Sequence, residues 1–106
     1  MTDYEGSAYG LSKACLNAYT ALEARECPDL IVHSCSPGYI LTDMTRDWGS
    51  ATNPPDKGTR APLHILLSED LIDRPGYGVG WYWGSDAKRS PIDKYRDPGS
   101  PEYEGP

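Results

Sequence analysis

Between Gly84 and Pro106 the only aliphatic residues are Ala87 and Ile92. Whatever core this chain builds must therefore come from Leu11 to Trp83, because a stretch with so little apolar surface cannot offset the entropy of its own ordering. In a chain of 106 residues with a hydrophobic fraction of 38%, that leaves room for one small domain with a thin core. The division expected is a folded part over residues 1–83 and a polar, Pro/Gly-rich tail over residues 84–106.

Charge and cysteine usage exclude several classes. The formal net charge is -6, and no cluster of Lys and Arg offers the footprint that phosphate backbones or an acidic membrane surface require. Arg74, Lys88, Arg89, Lys94 and Arg96 alternate with acids and read as solvated surface. Cys15, Cys27 and Cys35 are odd in number and lack C-x-x-C spacing, which argues against a disulfide framework and against a zinc site. They read as buried thiols in a reducing compartment, with no metal expected. The start, Met1-Thr2-Asp3-Tyr4-Glu5, has no basic leader, and no apolar run approaches a membrane span. A cytoplasmic location follows as the expectation, with neither nucleic acid nor membrane as partner.

Leu11, Cys15, Ala18 and Leu22 recur at helical steps, predicting an amphipathic helix from about Ser7 to Glu26 with Ser7 as N-cap and Pro28 beyond its end. A second row holds Tyr9, Lys13, Leu16 and Thr20, so Tyr9 and Lys13 stand one turn apart. Leu30-Ile31-Val32-His33-Ser34-Cys35 is apolar without alternation in its first half and stops at Pro37-Gly38, as a buried parallel strand does. A second helix is expected from Pro55 or Asp56 through Leu63, Leu66 and Leu67, with Pro62 arguing for a late start. Gly78 to Trp83 reads as a second strand. Gly76, Gly78 and Gly80 precede a strand and not a helix, so they suit a turn and close packing, not a phosphate loop. His33 and His64 have no visible partner for metal or nucleophile work and read as structural or solvated.

The chemistry rests on Tyr9 and Lys13. An ammonium one turn from a phenol favours the phenolate, which makes the tyrosine a usable proton donor to a carbonyl oxygen. Such a pair arises readily by chance in a chain with eight tyrosines, and it gains meaning from the segments downstream of it. Tyr9-Gly10-Leu11-Ser12-Lys13-Ala14, a strand, and then Ser36-Pro37-Gly38-Tyr39-Ile40-Leu41-Thr42-Asp43-Met44 stand in that order. Over about Ala8 to Trp83 this arrangement resembles the short-chain dehydrogenase/reductase family, particularly its carbonyl-reductase-like members.

The resemblance implies an α/β architecture, the C-terminal part of a Rossmann-like doubly wound fold with about two strands, two to three helices and a polar irregular tail. It implies a nicotinamide cofactor, NADP or NAD, with NADP favoured, and a small carbonyl or alcohol substrate. Tyr9 would be the catalytic acid and base. Lys13 would bind the nicotinamide ribose and lower the tyrosine pKa. Pro37 and Gly38 would bring backbone to the nicotinamide ring, Ile40 would offer main-chain bonds to the carboxamide, and the Thr42 hydroxyl would add another. Tyr39 and Trp48 are candidates for a substrate pocket. The family's glycine-rich pyrophosphate turn and its carbonyl-polarising serine have no counterpart before Tyr9, so the chain by itself is expected to bind cofactor weakly or not at all and to be inactive. The alternative expectation is a non-catalytic truncated interaction protein, pairing as a homo- or hetero-oligomer with a full-length reductase through the tyrosine-bearing helix.

Overall fold

The computed structural model describes residues 3–43, 45–46, 49, 53–69, 71 and 80–105, with side chains from Ser7 onward. Trp48, Arg74, Gly76 and Gly78 lie outside the described residues.

Helix α1 spans Asp3–Glu26. It begins a full turn before the expected Ser7, which is an interior position and not a cap. The helix closes where expected, with the Cys27 amide donating to the Glu23 carbonyl at 2.8 Å and Pro28 unable to continue the ladder.

The face that α1 buries is not the one its apolar periodicity selects. Leu11 and Leu16 are 67% and 52% exposed, and Tyr19 and Leu22 are also open, whereas Thr20 and Ala24 are buried. Contact is made through small residues. A Cβ on Gly80 would lie 2.8 Å from the Ala21 Cα and 3.3 Å from the Ala24 Cβ, so the backbone at Gly80, with φ of +67°, rests directly on the helix. Cys15 is exposed, and Cys27 and Cys35 are half-buried, which corrects the expectation of buried thiols.

Strand β1 (Ser34–Cys35) pairs in parallel with β2 (Tyr82–Trp83), in the register Ser34 to Tyr82 and Cys35 to Trp83. The bonded stretch runs further than the strands, since Gly80 donates to Val32, Ser34 to Trp81 and Ser36 to Trp83. Pro37, which has no amide to donate, follows at once. The connection between the two strands contains a 3-10 turn, Pro55–Thr59, and helix α2, Arg60–Leu67. Pro62 is accommodated in the first turn of α2, where its missing amide costs no intrahelical bond. This is a short βαβ unit, in the order the sequence implied.

A third strand was not expected. Strand β3 (Arg89–Ser90) runs antiparallel to β2, pairing Tyr82 with Ser90 and Trp83 with Arg89, so the sheet order is β1-β2-β3. Its hairpin turns through Ala87 at φ of +60°, and Gly84 donates to the Lys88 carbonyl at 2.8 Å. The core gathers Ile40, Ala61, Leu71 and Trp83. Among the described residues no helix is long and apolar enough to cross a membrane.

The stretch after β2 is held by two arginines that the charge pattern had assigned to solvated surface. Arg89 is buried. Its guanidinium carbon lies 3.8 Å from the centre of the Trp81 ring and 5.1 Å from that of Tyr103, and Nη1 donates to the Gly105 carbonyl at 2.6 Å. Arg96 donates to Asp86 through Nη2, to Ser90 Oγ through Nε at 2.9 Å and to the Ser100 carbonyl through Nη1 at 2.8 Å. An arginine stem buries apolar surface while its planar fork satisfies several acceptors. That is how a stretch with almost no aliphatic side chains acquires fixed structure.

Candidate functional site

Helix α1 and the segment after β1 meet across an open cleft of about 1060 Å³. Lys13, Ala14 and Asn17 line it from the helix, and Pro37, Gly38 and Ile40 from the loop. Five of the residues singled out in the sequence, Lys13, Pro37, Gly38, Tyr39 and Ile40, therefore line one cleft. Tyr9 and Thr42 are not among its lining residues. Tyr9 stands beside the lining residue Lys13, whose Nζ lies 5.5 Å from the centre of the tyrosine ring, within the range of a cation–π contact. The Tyr9 carbonyl accepts the Ser12 hydroxyl at 2.7 Å.

The loop owes its shape to local bonds. Ser36 Oγ accepts the Gly38 amide at 3.1 Å, and Gly38 takes a φ of +87°, a region that favours glycine. The hairpin packs against Gly38: a Cβ there would meet the Ser85 Cβ at 2.9 Å. Ile40 is buried, and its carbonyl accepts the Thr45 hydroxyl. Thr42 is exposed at the next bend, its amide donating to Thr45 Oγ1 at 2.9 Å. Thr45 thus fixes the turn after Ile40 from both sides. The 3-10 turn packs on this loop through Gly58, where a Cβ would come within 3.3 Å of both Pro37 and Ile40.

Sequence reasoning did not find the rest of the lining. Asn17 lies one turn beyond Lys13 on α1 and faces the same cleft; the step of four that linked Tyr9 to Lys13 extends to it. Tyr39, a pocket candidate, does line the cleft. The stretch from Pro91 to Arg96 forms a further part of the wall, and no local pattern in its sequence signals this.

The surroundings shift the ionisation of three groups. Burial pushes the Cys35 thiol up from its ordinary value. His33 is lowered by burial first and by the neighbouring His64 charge, with the Trp81 main chain acting in the opposite sense. At Asp86 burial acts upward, but the Gly99 amide, the Arg96 guanidinium and the Lys88 amide outweigh it and hold the carboxyl below the usual carboxylate range. The two histidines flank Trp83. Its indole Nε1 donates to His33 Nδ1 at 3.3 Å, and the His64 ring centre is 4.7 Å from the indole. Both are packing partners of the core. Among the described residues no three His, Cys, Asp or Glu side chains gather where a metal ion could be held.

A parallel βαβ unit with a tyrosine–lysine helix beside a Pro-Gly turn defines the class in which relatives should be sought. Protein-level comparison finds them among reductases and dehydrogenases. The chain is 38% identical to short-chain dehydrogenase/reductase 1 of Saponaria officinalis, over 58% of this chain and 20% of that protein. It is 40% identical to salutaridine reductase of Papaver bracteatum, over 61% of this chain and 20% of the relative, and 34% identical to carbonyl reductase [NADPH] 3 of Rattus norvegicus, over 66% and 27%. Over these segments the chain is similar to members of the short-chain dehydrogenase/reductase family, carbonyl reductases among them. It spans about a fifth to a quarter of the length of the curated relatives it matches. No family model matches the chain, and no solved structure does.

Proposed function

We propose that this chain carries the tyrosine–lysine part of a nicotinamide-dependent oxidoreductase acting on a small carbonyl or alcohol substrate. The observation that carries the reading is the convergence of Lys13 from α1 with Pro37, Gly38 and Ile40 from the loop after β1 on one cleft. Relatives named as carbonyl reductase [NADPH] support NADP as the cofactor over NAD.

The residues present suit the nicotinamide–ribose end of such a cofactor. The cleft volume of about 1060 Å³ exceeds the usual range for small-molecule sites. Lys13 brings an ammonium suited to ribose hydroxyls, and the loop at Gly38 carries no side chain. When bound, the cofactor supplies or accepts the hydride. Tyr9 gives its proton to the carbonyl oxygen in reduction and takes it back in oxidation. Lys13 holds the ribose and keeps the phenol in a positive field. Ile40, on a turn braced by Thr45, holds the carboxamide end, so that the reacting atoms meet in a fixed orientation.

The test is a chimera in which this chain replaces the matching segment of the rat carbonyl reductase. Tyr9→Phe in that chimera should lower kcat by roughly a hundredfold or more, the scale of a lost general acid, with little change in NADPH affinity. Unchanged turnover would overturn the reading.

One observation favours a second reading, in which the chain is an interaction protein. Leu11, Leu16, Tyr19 and Leu22 leave an exposed apolar band along α1, the kind of surface that marks a protein contact. On this reading the chain pairs with a full-length reductase through that helix. Sedimentation of the chain alone and mixed with the rat enzyme separates the two: a defined mixed complex favours pairing, and an unchanged monomer argues against it.

A further inference from the structure

One wall of the cleft is built from the stretch after β3. Ile92 and Tyr95 both line the cleft, and they are 48% and 82% exposed. An aromatic side chain left that open contributes little to folding through burial. Yet the backbone carrying it is fixed at both ends. On one side Pro91 is buried directly after β3. On the other, Arg96 has a side chain only 7% exposed and bonds to Asp86, Ser90 and Ser100. Asp86 in turn accepts the Gly99 amide at 2.8 Å. Four residues between two anchors therefore hold an aliphatic and an aromatic group at the mouth of the cleft that Lys13 and Gly38 also line.

We propose that Ile92 and Tyr95 are specificity-determining residues that contact the apolar body of the carbonyl substrate, and that Arg96 is the residue that positions them. The proposal rests on the reductase reading of this cleft. Its physical basis is pre-organisation: a rim segment ordered before the ligand arrives contributes contact area without a further ordering cost. An aromatic or aliphatic ketone matches the side chains offered, and Tyr95 adds a hydroxyl at the rim.

The experiment is a titration of the full 106-residue chain with acetophenone, followed by backbone amide shifts. Acetophenone should move the amides of Ile92 to Tyr95 together with those of Gly38 and Tyr39. The double variant Ile92→Ala/Tyr95→Ala should weaken that binding at least fivefold while the dispersed spectrum of the folded chain is retained, since both side chains are exposed. Arg96→Lys should weaken it as well, by loosening the segment, and should broaden the Ile92 to Tyr95 amides in the free protein. Acetophenone shifts that leave Ile92 to Tyr95 unmoved, an unchanged affinity in the double variant, or no binding at all would each overturn the proposal. Failure of the reductase reading has a different signature: Tyr9→Phe in the rat carbonyl reductase chimera then leaves turnover unchanged, while acetophenone still moves Ile92 to Tyr95 and the wall assignment is supported.

Discussion

Arg96 and Asp86 form an ion pair whose side chains are 7% and 11% exposed, joining the β2–β3 turn to a segment ten residues further along the chain. The pair stands on satisfied acceptors at every side. Arg96 also reaches Ser90 and Ser100, and Asp86 also takes the Gly99 amide. Closely spaced charges with their remaining bonds filled are the condition under which a nearly buried pair holds a structure together.

Removing one partner leaves the other charge enclosed without compensation. For a wholly buried pair that costs about 3–5 kcal/mol, and for this one, close to the surface, the cost should be on the order of 2 kcal/mol. Arg96→Met, which keeps most of the stem, should therefore lower the thermal midpoint by roughly 8 °C or more, given about 4–8 °C per kcal/mol in a domain of this size. The double variant Arg96→Met/Asp86→Asn should recover part of the loss. Thermal unfolding followed by circular dichroism reads both, and additive losses in the double variant would show that the two side chains do not act as a pair.

How much of this molecule was legible in its sequence depended on range. The α1 helix, the Pro37 stop of β1 and the late start of α2, at Arg60 with Pro62 in its first turn, all follow from neighbours within one or two turns, and local chemistry decides them. So does the pairing of Tyr9 with Lys13. The buried face of α1 was misread because its apolar rows compete for very little partner surface; the close approach of Gly80 selects Ala21 and Ala24, and the leucines stay outside. β3 and the burial of Arg89 and Arg96 depend on partners such as Gly105, Ser100 and Asp86, which a composition reading treats as unrelated solvated residues. The cleft wall from Pro91 to Arg96 inherits that difficulty.

Glycine substitutions should separate positions that need glycine from one that does not. At Gly38 the backbone has φ of +87° and a Cβ would meet Ser85 at 2.9 Å; at Gly80 φ is +67° and the obstacle is the Ala21 backbone. Gly38→Ala and Gly80→Ala should each destabilise by about 1–3 kcal/mol, with Gly80→Ala the worse because helix backbone cannot swing aside. Gly10 lies inside α1, and a Cβ added there would meet nothing within 4 Å, so Gly10→Ala should stabilise by about 0.5–1 kcal/mol. Denaturant midpoints of the three variants test the order, and a destabilising Gly10→Ala would contradict it.

His33 supplies a pH dependence whose sign comes from its burial. Its Nδ1 accepts the Trp83 indole at 3.3 Å, which requires the neutral ring, and burial together with His64 lowers its pKa from the ordinary 6.5. A base whose folded pKa is depressed takes up its proton in the unfolded state first. Above roughly pH 7 both states are neutral and stability is level; as pH falls below about 6.5 the unfolded chain is favoured, until the folded ring also titrates. His33→Asn keeps an oxygen near the Nδ1 position to accept the indole but does not titrate. Urea unfolding at pH 7.5, 6.5 and 5.5 should show a decline toward acid in the parent chain that is smaller in His33→Asn. Equal declines in the two proteins would place the acid sensitivity elsewhere.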